Sequence, residues 1–443
     1  MSFPRRGFIK AAVTAGMVTS PLLGTASPAA ERSTMPPMNP ADWASVRSQF
    51  SLSPEQVHLS NFFLASNPLP VREAMARHRE AFDRNPYTYL EDHMFAKPED
   101  MLWRQVTSAA ARYIGGRPED VALTTSTTQG LALIYNGLRL RPGQEILTTE
   151  HEWYTHDEAM RLANLKSGAS IRRISLYGQR SDVSAEAMVA KVQAAVRANT
   201  RVVAMTWVHS GSGVRLPIQA MAHMLAEANK QRSEDQQILF VVDGVHGFGC
   251  VDEDVAQLGC DFFSAGTHKW ILGPHGTGVL WAKPERWKLI SPTIPSLMAP
   301  ELNNAWRQER APQGPTEAAW VSPGGFMAFE NQWGTLEAFE FIQRIGRQRI
   351  AERVAELNGQ LKQGLLAMPH VTLHTPLEAQ HSAGIVCCEV QGRTPREVVA
   401  ELKQQNIIAS ATPYRHSTVR FSAGIVNSPA DIDKALAAMA KLG

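Results

Sequence analysis

The sequence predicts an α/β protein: a large domain on a mostly parallel seven-stranded sheet, followed by a smaller α+β domain. Three observations predict it. From about residue 100 short apolar runs alternate with helical patterns, and several of those runs are nearly unbroken, as in strands covered on both faces. The C-terminal part then mixes short strands with well-marked helix starts. A chain of 443 residues has room for two or three domains at roughly 150 residues each.

Residues 1–29 read as a signal, not as part of the fold. Pro4-Arg5-Arg6-Gly7-Phe8-Ile9-Lys10 precedes an apolar stretch from Ala11 to Ala26 and the small residues Ala26-Ser27-Pro28-Ala29. This pattern resembles a twin-arginine export signal, which implies the twin-arginine machinery as a partner and the periplasm as destination. No other stretch approaches the ~20 apolar residues of a membrane span, so no stable membrane insertion is expected. Removing the signal takes Arg5, Arg6 and Lys10 from the 44 basic residues and nothing from the 42 acidic ones, leaving a nearly neutral chain. With that balance and no basic stripe, nucleic-acid binding is not expected.

Residues 30–99 form an N-terminal arm on the substrate side, with a loose lead at Pro36, Pro37 and Pro40. The large domain spans 100–305. Its strand candidates are Val121–Thr125, Glu145–Thr149, Ile171–Leu176, Val202–Trp207, Ile238–Val242, Phe262–Ser264 and Gly278–Ala282. Between them, the helix after Asp182 carries Val189, Val192 and Val196 on one face and Lys191 and Arg197 on the other. A Pro/Gly-rich loop over about 290–325 leads into a connecting segment, 306–334, and a small domain, 335–443. There the strand candidates are Val371–Thr375, Ile385–Val390, Ile407–Ala409 and Thr418–Ser422, and Thr394-Pro395-Arg396-Glu397 and Ser428-Pro429-Ala430-Asp431 read as capped helix starts.

Chemistry concentrates where apolar runs end. Asp243 directly follows the run Ile238–Val242, at the carboxyl end where open α/β sheets place ligands. His246 follows, and Lys269 sits just past the next strand in Thr267-His268-Lys269-Trp270. Such a trio can surround a small aromatic cofactor; a solvated Asp and Lys beside a core His is the ordinary alternative. Thr124-Thr125-Ser126-Thr127-Thr128-Gln129-Gly130 offers hydroxyls and free N–H groups at a helix start, either an anion cradle or plain N-capping. There is no GxGxxG and no Walker motif. His151-Glu152-Trp153-Tyr154-Thr155-His156 lacks the spacing of a zinc helix, the four cysteines have no metal-ligand or disulfide pattern, and no metal site is expected. Ser212 in Ser210-Gly211-Ser212-Gly213 lacks the GxSxG frame of a nucleophile.

Together, Asp243/His246/Lys269, the Thr-rich stretch, Glu150-His151, Gly213-Val214-Arg215-Leu216-Pro217-Ile218, Trp333-Gly334-Thr335 and Val419-Arg420-Phe421-Ser422 resemble the class V branch of fold-type I pyridoxal-phosphate enzymes. That branch includes aminotransferases, cysteine desulfurases and isopenicillin-N-epimerase-like proteins. The resemblance implies pyridoxal 5'-phosphate as cofactor, joined to Lys269 as a Schiff base, with Asp243 on the pyridinium nitrogen and His246 on the phenolic oxygen. It also implies His151 stacked on the ring, with Tyr154 in reserve, and Thr127, Thr128 and His268 on the phosphate. Thr335 would reach the phosphate from a neighbouring subunit, making the enzyme a homodimer. Arg420 would clamp a substrate carboxylate, and Asn61 would lie beside the substrate. The desulfurases' nucleophilic cysteine is missing: Ala409 to Val419 reads ASATPYRHSTV.

A narrower likeness, to twin-arginine-exported members that act in siderophore maturation, implies conversion of the glutamyl side group of a pyoverdine-type precursor to succinamide. The glutamyl amine would displace Lys269 as an external aldimine, and the α-carboxylate would be lost. The alternative is a periplasmic aminotransferase or epimerase acting on a small amino acid.

Overall fold

The computed structural model describes residues 38–443. The segment read as an export signal and residues Pro36 and Pro37 lie outside the described residues. Beyond Pro40 the arm is ordered: the Asp42 carboxylate accepts hydrogen bonds from the Ala44 and Ser45 N–H groups and caps a helix over Trp43–Ser48.

The strands, in chain order, are β1 (Val57–His58), β2 (Val121–Thr124), β3 (Glu145–Thr149), β4 (Ser170–Ile174), β5 (Thr200–Thr206), β6 (Leu239–Asp243), β7 (Phe262–Gly266), β8 (Gly278–Ala282), β9 (Val371–Leu373), β10 (Val386–Val390), β11 (Ile407–Ile408), β12 (Ser410–Ala411) and β13 (Val419–Phe421). Seven of them form one sheet in the order β2-β8-β7-β6-β5-β3-β4, in which only β8 runs against its neighbours. The central strands are buried on both faces, which is why they read as unbroken apolar runs. The outermost, β4, departs from that expectation. Its residues are half-buried or exposed, and Arg172 and Arg173 turn to Glu145 and Asp157, as suits a sheet edge. The helix expected after Asp182 covers Ala185–Ala195, but it buries Met188 and Val192; Val196 is already its C-cap, so the helical face is turned from the one expected.

The small domain holds the antiparallel sheet β12-β13-β10-β9, and both anticipated capping boxes, Thr394 with Glu397 and Ser428 with Asp431, are formed. Its boundary differs from the sequence reading. The core of this part includes Val57 and Leu59 from the N-terminal arm, because β1 pairs in parallel with β11. Helix Thr335–Ile345 packs instead on helices Leu69–Arg84 and Leu102–Ile114 of the large part. Much of the Pro/Gly-rich loop is likewise structured. Helix Ala318–Val321 puts Ala318 and Val321 into the large core, and the Ser322 hydroxyl accepts from the Leu123 N–H. Among the described residues no helix is long and apolar enough to cross a membrane.

Candidate active site

Strand register builds the site. Thr206 and Asp243, at the carboxyl ends of β5 and β6, are direct neighbours, and Asp243 in turn faces Ser264 in the middle of β7. Here the parallel strands stop and their connecting loops open a cavity of about 250 Å³. Asp243, His246, His268 and Lys269 line it, together with Thr127, Thr128 and Arg420. The large sheet, the N-terminal arm and the small domain each contribute wall.

The Thr-rich stretch is more than a cap. Ser126 does cap helix Thr127–Gly137, its hydroxyl accepting from the Gln129 N–H. Thr127 Oγ1 accepts from the Gly266 N–H at 2.7 Å, which leaves the hydroxyl proton free to donate into the cavity. A Cβ at Gly130 would lie 2.0 Å from Ser264 Oγ, so only glycine lets this helix start approach β7. The free N–H groups of the first turn and the helix dipole together favour an anion here. His268 donates through Nδ1 to the Thr277 carbonyl at 3.2 Å, on the tautomer that leaves Nε2 unengaged.

The electrostatics suit covalent chemistry at an amine. Burial draws the Lys269 ammonium down to about 8, Asp243 opposing the shift and Arg420 adding to it. A much larger fraction of this amine is therefore neutral near pH 8 than for a lysine at its ordinary value. Burial, then the nearby Lys269 and Arg420 charges, hold His246 well below its usual range, so its imidazole is neutral. Burial raises the Asp243 carboxyl, with His156 pulling the other way; Asp243 Oδ1 accepts from the Val245 N–H at 3.0 Å.

Arg420, also on the cavity wall, is 4% exposed and has no carboxylate partner among the described residues. Its Nη1 donates to the Ser210 carbonyl at 2.8 Å and its Nε to Ser410 Oγ at 3.3 Å, while its guanidinium lies 4.2 Å from the Phe62 ring centroid. Nη2 remains for a ligand.

Three expected roles are corrected. His151 is not on the cavity wall. It stacks on Tyr177 with ring centroids 4.0 Å apart, and burial lowers its pKa to about 3. Tyr154 is 65% exposed and points away. Trp153, between them, lines the cavity and meets Tyr414 edge to face at 5.4 Å, so it is the aromatic side chain of this stretch that is placed to cover a ring bound there. Asn61 spends its amide on the His58 carbonyl and Asn427 Oδ1, whereas Phe62 and Phe63 form the wall. Thr335 is 2% exposed and its hydroxyl donates to the Asn331 carbonyl.

Sequence reasoning also missed Thr206, Ser210 and Tyr414. Thr206 ends the apolar run of β5 in register with Asp243, a signal that was readable; Tyr414 binds Ser210 at 2.6 Å from a loop with no such signal. Beneath Thr206 lies a buried network. Glu152 accepts from Thr149 and Thr206 and pairs with His156 at 2.8 Å, and His156 meets the Tyr135 hydroxyl at 2.7 Å. The residues that resembled a zinc helix are thus a hydrogen-bonded support. Ser212 is likewise engaged with Tyr177 at 2.7 Å.

A fold of this kind, with a lysine and an aspartate at adjacent strand ends and an anion cradle beside them, defines a pyridoxal-phosphate enzyme of fold type I. The class-V aminotransferase profile matches residues 65–435, and the chain belongs to that family. It is 31% identical to isopenicillin N epimerase of Streptomyces clavuligerus over 383 residues, 82% of this chain and 87% of the epimerase. Among solved structures, a C-DES variant with glycine covalently linked to its PLP cofactor superposes with a TM-score of 0.77 at 21% identity, covering 90% of this chain and 99% of that one. Cysteine desulfurase from Thermococcus onnurineus superposes at 0.75 and 22% identity, over 90% and 97% of the two chains.

The residues present fit the cofactor. His246 Nδ1 is buried without a partner, a state that costs about 1–3 kcal/mol unless a ligand atom meets it. The helix start suits a phosphate, Asp243 suits a ring N–H, and Lys269 suits an aldehyde carbon. Capture of pyridoxal phosphate by the cofactor-free enzyme requires the neutral Lys269 amine. Its rate is therefore expected to climb with pH through about 8 and level off above, as followed by absorbance after rapid mixing. A flat profile through that range would contradict the assignment.

Proposed function

We propose that this is an exported, periplasmic enzyme that converts the glutamyl side group of a pyoverdine-type siderophore precursor to succinamide. The observation that carries it is Arg420, a buried guanidinium without an acid partner among the described residues, in the same cavity as Lys269, which favours a substrate bearing an α-carboxylate beside its amine. The twin-arginine motif supports export. Phe63, 65% exposed at the mouth, leaves room for the body of a large substrate to remain outside. Persulfide chemistry is disfavoured. No cysteine lines the cavity, all four are buried, and burial pushes the Cys387 thiol up to about 11. We also infer a homodimer, supported by large exposed apolar side chains such as Tyr87, Phe95, Trp306 and Phe326.

When bound, pyridoxal phosphate supplies an electron sink conjugated to the substrate nitrogen. The protein does the rest. The Thr127 helix start and His268 would hold the phosphate, Trp153 would exclude water from the ring, and Asp243 would keep the ring nitrogen protonated. Arg420 orients the carboxylate, and the neutral Lys269 amine takes up or returns a proton at Cα. In balanced form, R–CH(NH2)–COOH and dioxygen give R–CONH2, carbon dioxide and water. The product has lost one carbon, two hydrogens and one oxygen.

Incubating the cofactor-loaded enzyme in air with the glutamyl precursor should produce that mass change; unchanged precursor beside loaded enzyme would refute the siderophore reading. The likeness to isopenicillin N epimerase favours a second reading, epimerisation of an α-amino acid. It predicts loss of α-deuterium without net conversion. On either reading, Arg420→Gln removes charged hydrogen bonds worth about 3 kcal/mol, so KM should rise roughly 100-fold with a smaller change in kcat. An unchanged KM would remove Arg420 from the substrate site.

A further inference from the structure

Outside the active site, three side chains from separate elements converge. His374 follows β9 and extends its pairing, its N–H donating to the Cys387 carbonyl at 2.9 Å; Glu389 lies in β10; and His416 lies in the hairpin tip between β12 and β13. Their ligand atoms all lie within 4.8 Å of one another. Glu389 is shared: Oε2 is 2.9 Å from His374 Nε2 and Oε1 is 3.0 Å from His416 Nε2. The two imidazoles meet edge to face, 86° apart.

We propose that His374, Glu389 and His416 bind a divalent transition cation of the zinc class, which fixes the hairpin tip against the active-site mouth. The donor set selects the ion. Two imidazole nitrogens and one carboxylate oxygen suit zinc and its neighbours, whereas calcium and magnesium prefer all-oxygen shells. Zinc bonds of roughly 2.0–2.2 Å at a tetrahedral angle set donors ~3.3 Å apart; the three ligand atoms lie within 4.8 Å of one another, so small side-chain rotations bring them to that spacing, with water completing the shell.

The consequence lies in the hairpin. Its base is closed by Thr412 and Thr418, which exchange backbone and side-chain hydrogen bonds at 2.8 Å. On one side of Arg415, Tyr414 reaches Ser210 and the Trp153 ring; on the other, His416 reaches Glu389. Glu389 also shares a sheet face with Cys387, which pairs directly with Arg420. A cation at His416 therefore anchors the outer half of the loop whose inner half walls the cavity.

The test uses the full chain loaded with its cofactor and stripped of metal by a chelator, with Zn2+ alone as the probe. Calorimetric titration should find one equivalent bound with micromolar or tighter affinity. The double variant His374→Ala/His416→Ala should lose affinity by about tenfold or more, as should Glu389→Gln. Arg415 is exposed, so trypsin reports on the tip. Zn2+ should slow cleavage after Arg415 several-fold in the parent and leave the double variant unaffected. No binding by the parent, equal binding by the double variant, or an unprotected Arg415 in the zinc-loaded parent would each overturn the proposal.

Discussion

Lys269→Ala is expected to lower kcat by about four orders of magnitude, the upper range for removing one positioned acid–base group. Two functions vanish together in that variant, covalent attachment of the cofactor aldehyde and proton movement at Cα. The fold should survive. Lys269 is half-buried at the edge of the cavity, and the phosphate cradle at Thr127 and His268 does not depend on its side chain. The variant should therefore still bind pyridoxal phosphate, measured by dialysis, while losing the absorbance of the protein-linked form. Turnover within tenfold of the parent would mean that another group carries the chemistry.

Asp243→Asn should be the next most damaging change, lowering kcat by about 1,000-fold, as removal of one preorganised electrostatic partner does. The amide keeps the shape and can still accept from the Val245 N–H, so folding and phosphate binding are expected to persist. What disappears is the negative charge facing the ring nitrogen, and with it the protonated ring that draws electrons from Cα. The loss should fall on kcat and spare cofactor affinity. A variant with near-normal kcat would show that the ring works without that charge.

The residues most legible in the sequence are those whose position follows from strand ends. An acid after an unbroken apolar run lies at the sheet's carboxyl edge whatever the loops do, so Asp243 and Lys269 come together as expected. Ring coverage was not legible because it depends on which of His151, Trp153 and Tyr154 faces inward. The Glu152 hydrogen bonds fix the turn before helix Tyr154–Ser167 and leave Trp153 on the wall, with His151 packed on Tyr177. The small domain's dependence on Val57 and Leu59 was hidden for another reason. A two-residue strand has no periodicity to read, and its partner β11 lies at the far end of the chain.

The central claim is that Lys269 is the residue joined to the cofactor. Borohydride treatment of the loaded enzyme, followed by trypsin and mass spectrometry, tests it directly. A reduced linkage at Lys269 blocks cleavage there, and Pro284 protects the bond after Lys283, so the expected product is a single modified peptide running from Ser233 to Arg286. Normal cleavage after an unmodified Lys269, with the cofactor mass on another peptide or on none, would contradict the account.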